Sequence, residues 1–365
     1  MATKKTNTKA RAAAAKRAKK KKKRIVLFII EILVLVVLVF VLYAVLTTDK
    51  IQKIKIDEDS IVVNENVETN ETMKGYRNIA LFGVDSRSGD LGKGTRSDTI
   101  MIASINEDTG DVKLCSVFRD TYMNLGNDSY NKCNSAYAKG GPEQAINMLN
   151  MNLDLNIKDY VTVGFDGLIE TIDALGGVYI DVREDEIKHL NNYQISMVGT
   201  STDGKTFTAT EGKDYIAVTQ SGNQLLNGLQ ATAYCRIRYV GDDFMRAQRQ
   251  RTVLAAVMDV AKKAPASKLT EILNGAVSNI STSLDVSDMA AMLTDIAKYS
   301  ISGNDGFPFE SNRSTGTVGK KGSCVIPESL ADNVVLLHQF LFNDNEYVVS
   351  PEVQGYSNKV STDTH

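Results

Sequence analysis

A continuous apolar run from Ile25 to Leu46 constrains this chain more than any other part of its sequence. The run holds 22 residues and contains one charged residue, Glu31. A helix needs about 20 apolar residues to cross a bilayer, so the run predicts a transmembrane helix. Glu31 lies near the start of the run, where its carboxylate can reach the membrane interface; a functional role inside the membrane is less favoured.

The distribution of charge predicts how this segment is oriented. Residues 1–24 contain twelve Lys or Arg and no acid, which leaves 30 basic against 44 acidic residues in the other 341, a formal charge of −14. Positive charges beside a transmembrane helix stay in the cytoplasm. We therefore expect a disordered cytoplasmic tail, one span of the cell membrane and an extracellular remainder. The basic tail also invites nucleic-acid binding, but the adjoining span favours anchoring, and no nucleic-acid partner is predicted.

A cleaved signal peptide is the alternative explanation of the apolar run. Its apolar core would be shorter, and a cleavage site with small residues should follow. Val45 to Asp49 offers no such site, so an uncleaved signal-anchor is favoured. The predicted divisions are a basic tail (1–24), a transmembrane helix (25–46), an extracellular spacer (47–75), a folded domain (76–350, with its motifs in 76–262) and a C-terminal tail (351–365).

The extracellular part alternates predicted strands and helices. Short apolar runs predict strands at 78–84, 99–105, 112–117, 160–164 and 178–182, and a short strand at 61–63 is a further candidate. Helices are predicted at 140–153, 165–175, 266–279, 286–299 and 327–342, and from Leu226 and Asp243 onward. Residues 189–224 are predicted to be an irregular insertion or lid, and 302–323 a Gly/Ser-rich loop. This alternation is typical of an α/β or α+β layered domain.

Arginines concentrate in one stretch, Ala233–Arg251. Eleven arginines follow the apolar run, and five of them lie here: Arg236, Arg238, Arg246, Arg249 and Arg251. Arg236 and Arg238 are two residues apart, so on a strand they would lie on one face. Arg246, Arg249 and Gln250 would share one side of a helix that begins at Asp243. Guanidiniums match phosphate oxygens two at a time, and a helix N-terminus adds positive potential. The stretch predicts an anion site; a basic surface helix paired with Asp242 and Asp243 is the alternative.

Charged pairs also follow or precede three of the predicted strands. They are Asp85 with Arg87, Arg96 with Asp98, and Arg119 with Asp120. The ends of three predicted strands therefore each carry one acidic and one basic residue.

Other kinds of site have little support in the sequence. The cysteines, Cys115, Cys133, Cys235 and Cys324, show no metal-binding spacing; disulfides are possible outside the cell, and buried packing is favoured. The three histidines lie away from the charged motifs, so a Ser-His-Asp hydrolase has no local support.

Many short motifs, in one order, resemble the LytR-CpsA-Psr family of Gram-positive cell-wall enzymes. The likeness covers roughly residues 76–262, and the basic tail, single span and external domain are similar to that family's topology. The matching stretches are Gly83–Arg87, Arg96–Met101, Ser116–Thr121, Asn131–Tyr137, Gly140–Glu143, Phe165–Gly167, Asp173–Val178, Leu226–Gly228, Arg236–Arg238, Asp243, Arg246 and Arg249–Gln250.

The resemblance implies an α/β/α fold around a mixed β-sheet. It also implies a transferase that moves a glycopolymer (teichoic acid, capsule or a related glycan) from a polyprenyl pyrophosphate carrier to peptidoglycan. It places Mg²⁺ (or Mn²⁺) at Asp85 and Asp98, and the prenyl chain in an apolar channel, for which Phe165, Leu168, Ile169 and the helix from Gly141 are the predicted walls. The residues implied to bind pyrophosphate are Arg96, Arg119, Arg236, Arg238, Asp243, Arg246 and Gln250, and those implied in catalysis are Asp85, Asp98, Arg119 and Arg238.

Two positions depart from the pattern of this family. Phe118 stands where proline often precedes the arginine, which bears on the turn that aims Arg119. Cys133 stands where an aliphatic residue is usual, and we expect it simply to pack.

Several alternatives stay open from the sequence alone. Asp98, Asp120 and Asp243 are all candidates for the general base. Asp120 could instead only pair with Arg119, and Asp85 could only cap a turn. A non-catalytic anchored receptor for polyprenyl-linked or anionic wall polymers would use the same arginines. A role as a transcriptional attenuator is suggested by the basic tail alone, and it conflicts with the predicted topology.

Overall fold

A mixed sheet of six strands forms the centre of the domain. The computed structural model describes residues 56–85, 91–199, 207–265, 267–269 and 279–364. The strands in chain order are β1 Tyr76–Val84, β2 Ser97–Asn106, β3 Asp111–Val117, β4 Tyr122–Asn124, β5 Tyr130–Lys132, β6 Asp159–Gly164, β7 Val178–Val182, β8 Gly222–Leu226, β9 Ile280–Thr282, β10 Ser300–Phe307, β11 Arg313–Thr317 and β12 Ser323–Pro327. The central sheet has the order β10-β3-β2-β1-β6-β9, in which β1 pairs parallel with β6, and β3 with β10.

Helices cover both faces of this sheet. They are α1 Glu65–Glu68, α2 Asn134–Leu153, α3 Phe165–Leu175, α4 Glu184–Val198, α5 Gly228–Tyr234, α6 Asp243–Ala261, α7 Val286–Thr294, α8 Leu330–Phe342 and α9 Pro351–Thr364. Alternate residues of a strand point to opposite faces: in β1, Ala80 and Phe82 pack with α2, α8 and α9, whereas Ile79 packs in a separate cluster with Leu254 of α6 and Met292 of α7. The predicted α/β fold around a mixed sheet is confirmed.

A second apolar cluster lies beside the central sheet. The antiparallel pair of β7 and β8 packs on α3, α4 and α5, with Ile180, Leu190 and Ile237 fully or almost fully buried in this cluster. The predicted helix after Leu226 is confirmed as α5. Its N-cap is Asn227, whose side chain accepts a hydrogen bond from Gln230 N, as is usual for a capping asparagine.

Three stretches have more regular structure than the sequence predicted. Residues 189–224 are irregular only in part: α4 extends to Val198 and β8 begins at Gly222, while the described residues 207–221 between them have irregular backbone. Residues 302–323 are not a loop, since they contain most of β10 and all of β11. The predicted tail at 351–365 is wrong as well: α9 packs Val353 and Val360 into apolar clusters.

Smaller corrections concern element ends. Part of the predicted spacer packs on the core, with Val67 and Met73 buried, and Ile61–Val63 forms no strand. The helix predicted from Gly140 already begins at Asn134 and kinks at Gly141, whose φ of 71° ends the first segment before Pro142 opens the second. The helix predicted at 286–299 ends at Thr294.

Other predictions fall outside the described residues. These are the basic tail, the transmembrane helix at 25–46, the first part of the spacer, Arg87 and most of the helix at 266–279. Among the residues that are described, no helix is both long and apolar enough to cross a membrane.

The four cysteines are unpaired and buried, as the packing interpretation predicted. Cys133 does more than fill space, because its thiol lies 3.2 Å from the carbonyl oxygens of both Phe118 and Arg119.

Candidate active site

Asp98 and Arg119, two of the charged residues at the predicted strand ends, come together at one end of the central strands. Because β2 runs antiparallel to both β1 and β3, its first residues lie beside the last residues of those strands. The register steps from Gly83–Thr99 to Val84–Ser97, which leaves Asp98 unpaired in a bulge. Bulges of this kind re-aim a side chain. Asp98 is thereby brought to the residues that follow β1 and β3.

One carboxylate and three guanidiniums form the centre of the site, which we call the Asp98 cluster. Arg119 Nη1 donates a hydrogen bond to Asp98 Oδ1 at 2.8 Å. Arg246 Nη2, from the first turn of α6, donates to Asp98 Oδ2 at 3.2 Å, and Arg238 Nη2 lies 3.5 Å from the same oxygen. The cluster is half-buried, with Arg246 buried and Arg238 the most exposed of the four.

Burial and charge act in opposite directions on the ionisation of these groups. Burial alone would raise the pKa of Asp98, but the charges of Arg246, Arg119 and Arg238 outweigh it and hold that pKa below its usual value. Burial lowers the pKa of Arg246, while for Arg119 the nearby carboxylates outweigh burial and raise the pKa. Asp98 is therefore a firmly ionised anchor for the guanidiniums and a weak proton acceptor.

Arg236 extends the positive surface away from this cluster. Its Nη2 lies 3.7 Å from Asp85 Oδ2, and its guanidinium carbon lies 4.5 Å from the ring centre of Phe165 and 5.5 Å from that of Tyr193. Stacking on aromatic rings fixes the plane of this guanidinium.

The segment carrying Arg236 and Arg238 is not the strand that the sequence predicted. It is a turn followed by irregular backbone between α5 and α6. Ile237 is fully buried, while the two arginines on either side reach the site, so the alternation of side chains is retained without a sheet.

An apolar cavity of about 290 Å³ opens beside these charges. Asp98, Arg236, Arg246 and Gln250 line it together with side chains of β1, β2, β6, α3 and α6. Phe165 and Leu168 line it as predicted, whereas Ile169 and the helix from Gly141 do not, because that helix packs on the opposite face of the sheet. Further apolar walls come from α6: Val253, Leu254 and Val257.

Two more carboxylates border a small recess next to the Asp98 cluster. Asp120 and Asp243 line it with Arg119, Arg246 and Gln250. Asp120 lies 3.5 Å from Lys132 Nζ and 3.9 Å from Arg119 Nε. Asp243, at the exposed start of α6, has no ion pair or side-chain hydrogen bond among the described residues.

Two of the motif arginines lie apart from the cluster. Arg96 is exposed before β2 and forms no ion pair within the described part of the chain, so nothing brings it to Asp98. Arg249 does not share a side with Arg246 and Gln250 as predicted. It is buried against Glu186 at 2.7 Å and donates hydrogen bonds to Ile237 O and Val240 O.

Sequence reasoning missed several side chains that support the site. Glu186 and Tyr193 both belong to α4, which was not predicted, and Lys132 lies beside Asp120 at the end of β5. A signal for Glu186 was present, since three acids at 184–186 are typical of the first turn of a helix.

The sequence predicts a cation at Asp85 and Asp98, and each of these carboxylates lies beside an arginine of the site. In the described ranges, no group of three or more Asp, Glu, His or Cys side chains forms a ready-made metal site. Both carboxylates also face arginines, so a cation would need further anionic oxygens from a bound ligand.

Known proteins share these features of sequence and fold. Residues 38–315 match the model of the LytR_cpsA_psr family. The polyisoprenyl-teichoic acid–peptidoglycan teichoic acid transferase TagU of Oceanobacillus iheyensis is 34% identical over 229 residues, which are 60% of this chain and 62% of that relative. The alignment thus spans less than two thirds of the relative.

Solved structures share the fold. Protein gbs0355 of Streptococcus agalactiae superposes with a TM-score of 0.61 and 22% identity, covering 81% of this chain and 99% of that one. The family protein YwtF (TagT), solved with bound octaprenyl pyrophosphate lipid, superposes with a TM-score of 0.54 and 20% identity, covering 77% and 97%. Since the family model covers most of the sequence, this chain belongs to the LytR-CpsA-Psr family.

Proposed function

We propose that this protein is a membrane-anchored extracellular phosphotransferase that moves a glycopolymer from a polyprenyl pyrophosphate carrier to peptidoglycan. The observation that carries the proposal is the adjacency of the Asp98 cluster and the apolar cavity. A lipid pyrophosphate needs both, guanidiniums for its phosphates and an apolar wall for its chain. The name of the TagU relative and the lipid bound to TagT support the same substrate class.

The reaction is a substitution at phosphorus. A hydroxyl oxygen of the acceptor forms a bond to the phosphorus that carries the glycan, and the bond from this phosphorus to the bridging oxygen breaks. Polyprenyl phosphate leaves with the bridging oxygen, and the acceptor's proton passes to a base. One negative charge is added to the leaving phosphate, so catalysis depends on positioning and charge neutralisation.

The arginines supply that neutralisation. Arg119, Arg238 and Arg246 surround one point, and Arg236 is held at its edge by Asp85 and two aromatic rings. A phosphate that enters displaces some of the contacts to Asp98 without moving the buried Arg246. A hydrogen bond to a charged partner contributes about 1.5–3 kcal/mol, so losing one arginine should weaken binding or turnover by roughly ten- to a hundredfold.

Asp85 and Asp98 would hold Mg²⁺ or Mn²⁺ when the donor is bound. Their hard oxygens fit such ions, and the facing guanidiniums make tight binding of the cation alone unfavourable. The cation would supply further charge neutralisation at the pyrophosphate. Metal affinity is therefore expected to rise strongly in the presence of pyrophosphate.

Asp243 is the best-placed general base. Asp98 is held ionised by three arginines, and Asp120 faces Lys132 and Arg119. Asp243 borders the same recess without an ion pair among the described residues, so its carboxylate is available to accept the proton.

Two variants separate transfer from simple binding. Affinity for a lipid pyrophosphate donor and formation of polymer-linked peptidoglycan are measured for Asp98→Ala and Arg238→Ala, with and without magnesium. Asp98→Ala should retain donor binding and lose transfer, because the arginines remain while one metal carboxylate is gone. Arg238→Ala should weaken both. Transfer by Asp98→Ala at the rate of the unchanged protein would contradict the catalytic assignment. Donor binding without transfer by the unchanged protein would favour the anchored receptor instead.

A further inference from the structure

A polar cleft of about 470 Å³ lies on the other side of α6 from the apolar cavity. Phe244, Gln248 and Arg251 line the cleft; they are spaced by four and three residues and so share one face of the helix. Val253, Leu254 and Val257 of the same helix line the cavity. The remaining walls come from the end of β10 and from β11.

Arg251 is an incompletely satisfied cation in this cleft. Arg251 is only 9% exposed, and its Nε donates a hydrogen bond to Asn304 Oδ1 at 3.2 Å. Its Nη1 is buried and has no hydrogen-bond partner. Burial lowers the pKa of Arg251, while Asp305 opposes that effect. A buried charged donor without a partner is costly, so this arginine points to a ligand that supplies an acceptor.

Arg313 is held rigidly at the opposite wall. Its guanidinium carbon lies 3.8 Å from the ring centre of Phe244 and 4.9 Å from that of Phe118. Nη1 donates to Pro308 O at 3.0 Å, which fixes the plane of the group. A guanidinium fixed in this way loses little entropy when it binds a ligand.

The chemistry of the cleft suits a ligand rich in hydroxyl groups. Arg251, Arg313 and Gln248 offer donors, whereas Asp305 and Glu310 offer acceptors. A hydroxyl both donates and accepts a hydrogen bond, so it uses such a mixed lining fully. A second anion would meet the carboxylates, and a lipid chain would meet a polar wall. A saccharide fits this set of groups.

The position of the cleft assigns the saccharide to one substrate. Phe118 lines the cleft and directly precedes Arg119 of the Asp98 cluster. In phosphoryl transfer the attacking and leaving oxygens lie roughly in line. If the leaving prenyl phosphate occupies the cavity, the acceptor approaches from the other side of the cluster. Resting on the proposed function, we propose that the cleft binds sugar units of the acceptor glycan strand next to the one that reacts.

The test uses the full chain and a soluble peptidoglycan oligosaccharide freed of its peptides. Its affinity is measured by calorimetry for the unchanged protein, Arg313→Gln and Thr315→Trp. Thr315 is exposed at the cleft, so the indole obstructs the space without removing a buried group. Lys298→Gln is the control, because it removes one positive charge at the other end of β10. Both cleft variants should bind the oligosaccharide at least tenfold more weakly, and Lys298→Gln should bind it normally.

Donor binding is measured on the same proteins and should change less than twofold in every variant. Equal oligosaccharide affinity in the unchanged protein and both cleft variants, or no binding at millimolar concentration, would overturn the proposal. A loss confined to the lipid-linked donor would also overturn it. Oligosaccharide binding that depends on the cleft, without any polymer transfer, would leave this assignment intact and refute the proposed function.

Discussion

At the Asp98 cluster, one carboxylate holds three guanidiniums that would otherwise repel one another. Arg119, Arg238 and Arg246 all lie within 3.5 Å of Asp98 oxygens. A site organised in this way is positioned before an anion arrives, which reduces the reorganisation that binding requires. The same arrangement makes Asp98 a poor base, because its low pKa disfavours protonation.

Asp243→Asn tests which carboxylate accepts the proton. The change keeps the shape of the side chain and removes its basicity, so kcat should fall by about a hundredfold while donor affinity is retained. Single-turnover transfer and donor binding are measured side by side. Asp120→Asn is the comparison and should change kcat only a few-fold; the reverse ranking of the two variants would show that Asp120 is the base.

His338 links the stability of the domain to pH. It is fully buried, stacks on Tyr347 and hydrogen-bonds to Leu153 O through Nε2, and burial lowers its pKa to about 4. Above pH 6.5 the ring is neutral in both states. Between pH 6.5 and 4 the unfolded chain binds a proton that the folded protein does not. The free energy of unfolding should therefore fall by up to about 3 kcal/mol over this range.

Denaturant unfolding at several pH values checks this expectation. The His338→Gln variant has no imidazole to titrate. Its free energy of unfolding should therefore fall less between pH 6.5 and 4 than that of the unchanged protein. An unchanged slope in the variant would show that His338 is not the group that titrates.

Single residues also show what the sequence could reveal of the site. Asp98, Arg119, Arg238 and Arg246 were identified from their motifs, and the structure brings them together. Helical spacing alone assigned Arg249 to the same side, but three residues advance a helix by about 300°, not a full turn. Arg249 lies far enough around α6 to meet Glu186, a partner that no local pattern identified.

At the scale of elements, α4 holds the loop that carries two site arginines. Glu186 pairs with Arg249, and Arg249 in turn donates to the carbonyl oxygens of Ile237 and Val240. Both members of the pair are only 2% exposed. Arg236 and Arg238 therefore depend on a buried ion pair for their position.

Glu186→Gln should be strongly destabilising, because it leaves a buried guanidinium without its counter-charge. We expect a loss of about 3 kcal/mol in the free energy of unfolding, together with weaker pyrophosphate binding at temperatures where the variant stays folded. Glu184→Gln changes an exposed residue in the same helical turn and should alter neither quantity. Equal stability of the two variants would contradict the role given to the pair.

Helices and strands with long apolar runs could be predicted from the sequence. Those whose conformation depends on tertiary packing were missed. β1, β2 and β3 are central strands rich in apolar residues, so their sequence alone identified them. β11 reads Arg-Ser-Thr-Gly-Thr, which has no apolar period, and it forms by pairing with β12. α9 is polar apart from a few positions, so its sequence shows no clear apolar pattern. The helix is stabilised by packing on the core, which the sequence alone does not reveal.

At the scale of the whole molecule, helix α6 separates an apolar cavity from a polar cleft, and both lie next to the Asp98 cluster. The cavity lies between the sheet, α3 and α6, and the cleft lies on the other side of α6. The proposed lipid donor and glycan acceptor differ in solubility, and this arrangement would give each a wall of matching polarity.

Val257→Trp tests the role of the cavity. The indole fills space that a prenyl chain would use, so affinity for a long-chain pyrophosphate should fall at least tenfold. Affinity for inorganic pyrophosphate should stay within twofold, because the Asp98 cluster is unchanged. Equal loss of both affinities would instead indicate general damage to the fold.

Mass spectrometry of the denatured unchanged protein should also reveal copurified prenyl or fatty chains.

Transfer of the glycan to peptidoglycan can be measured directly in a reconstituted reaction. The full chain in a membrane mimic is incubated with a polyprenyl pyrophosphate-linked glycan, peptidoglycan and magnesium, and both products are quantified. We expect one polyprenyl phosphate to be released for each glycan joined to peptidoglycan, and both products to be lost in Asp98→Ala. Saturable donor binding with neither product formed, over many hours and with magnesium present, would contradict it.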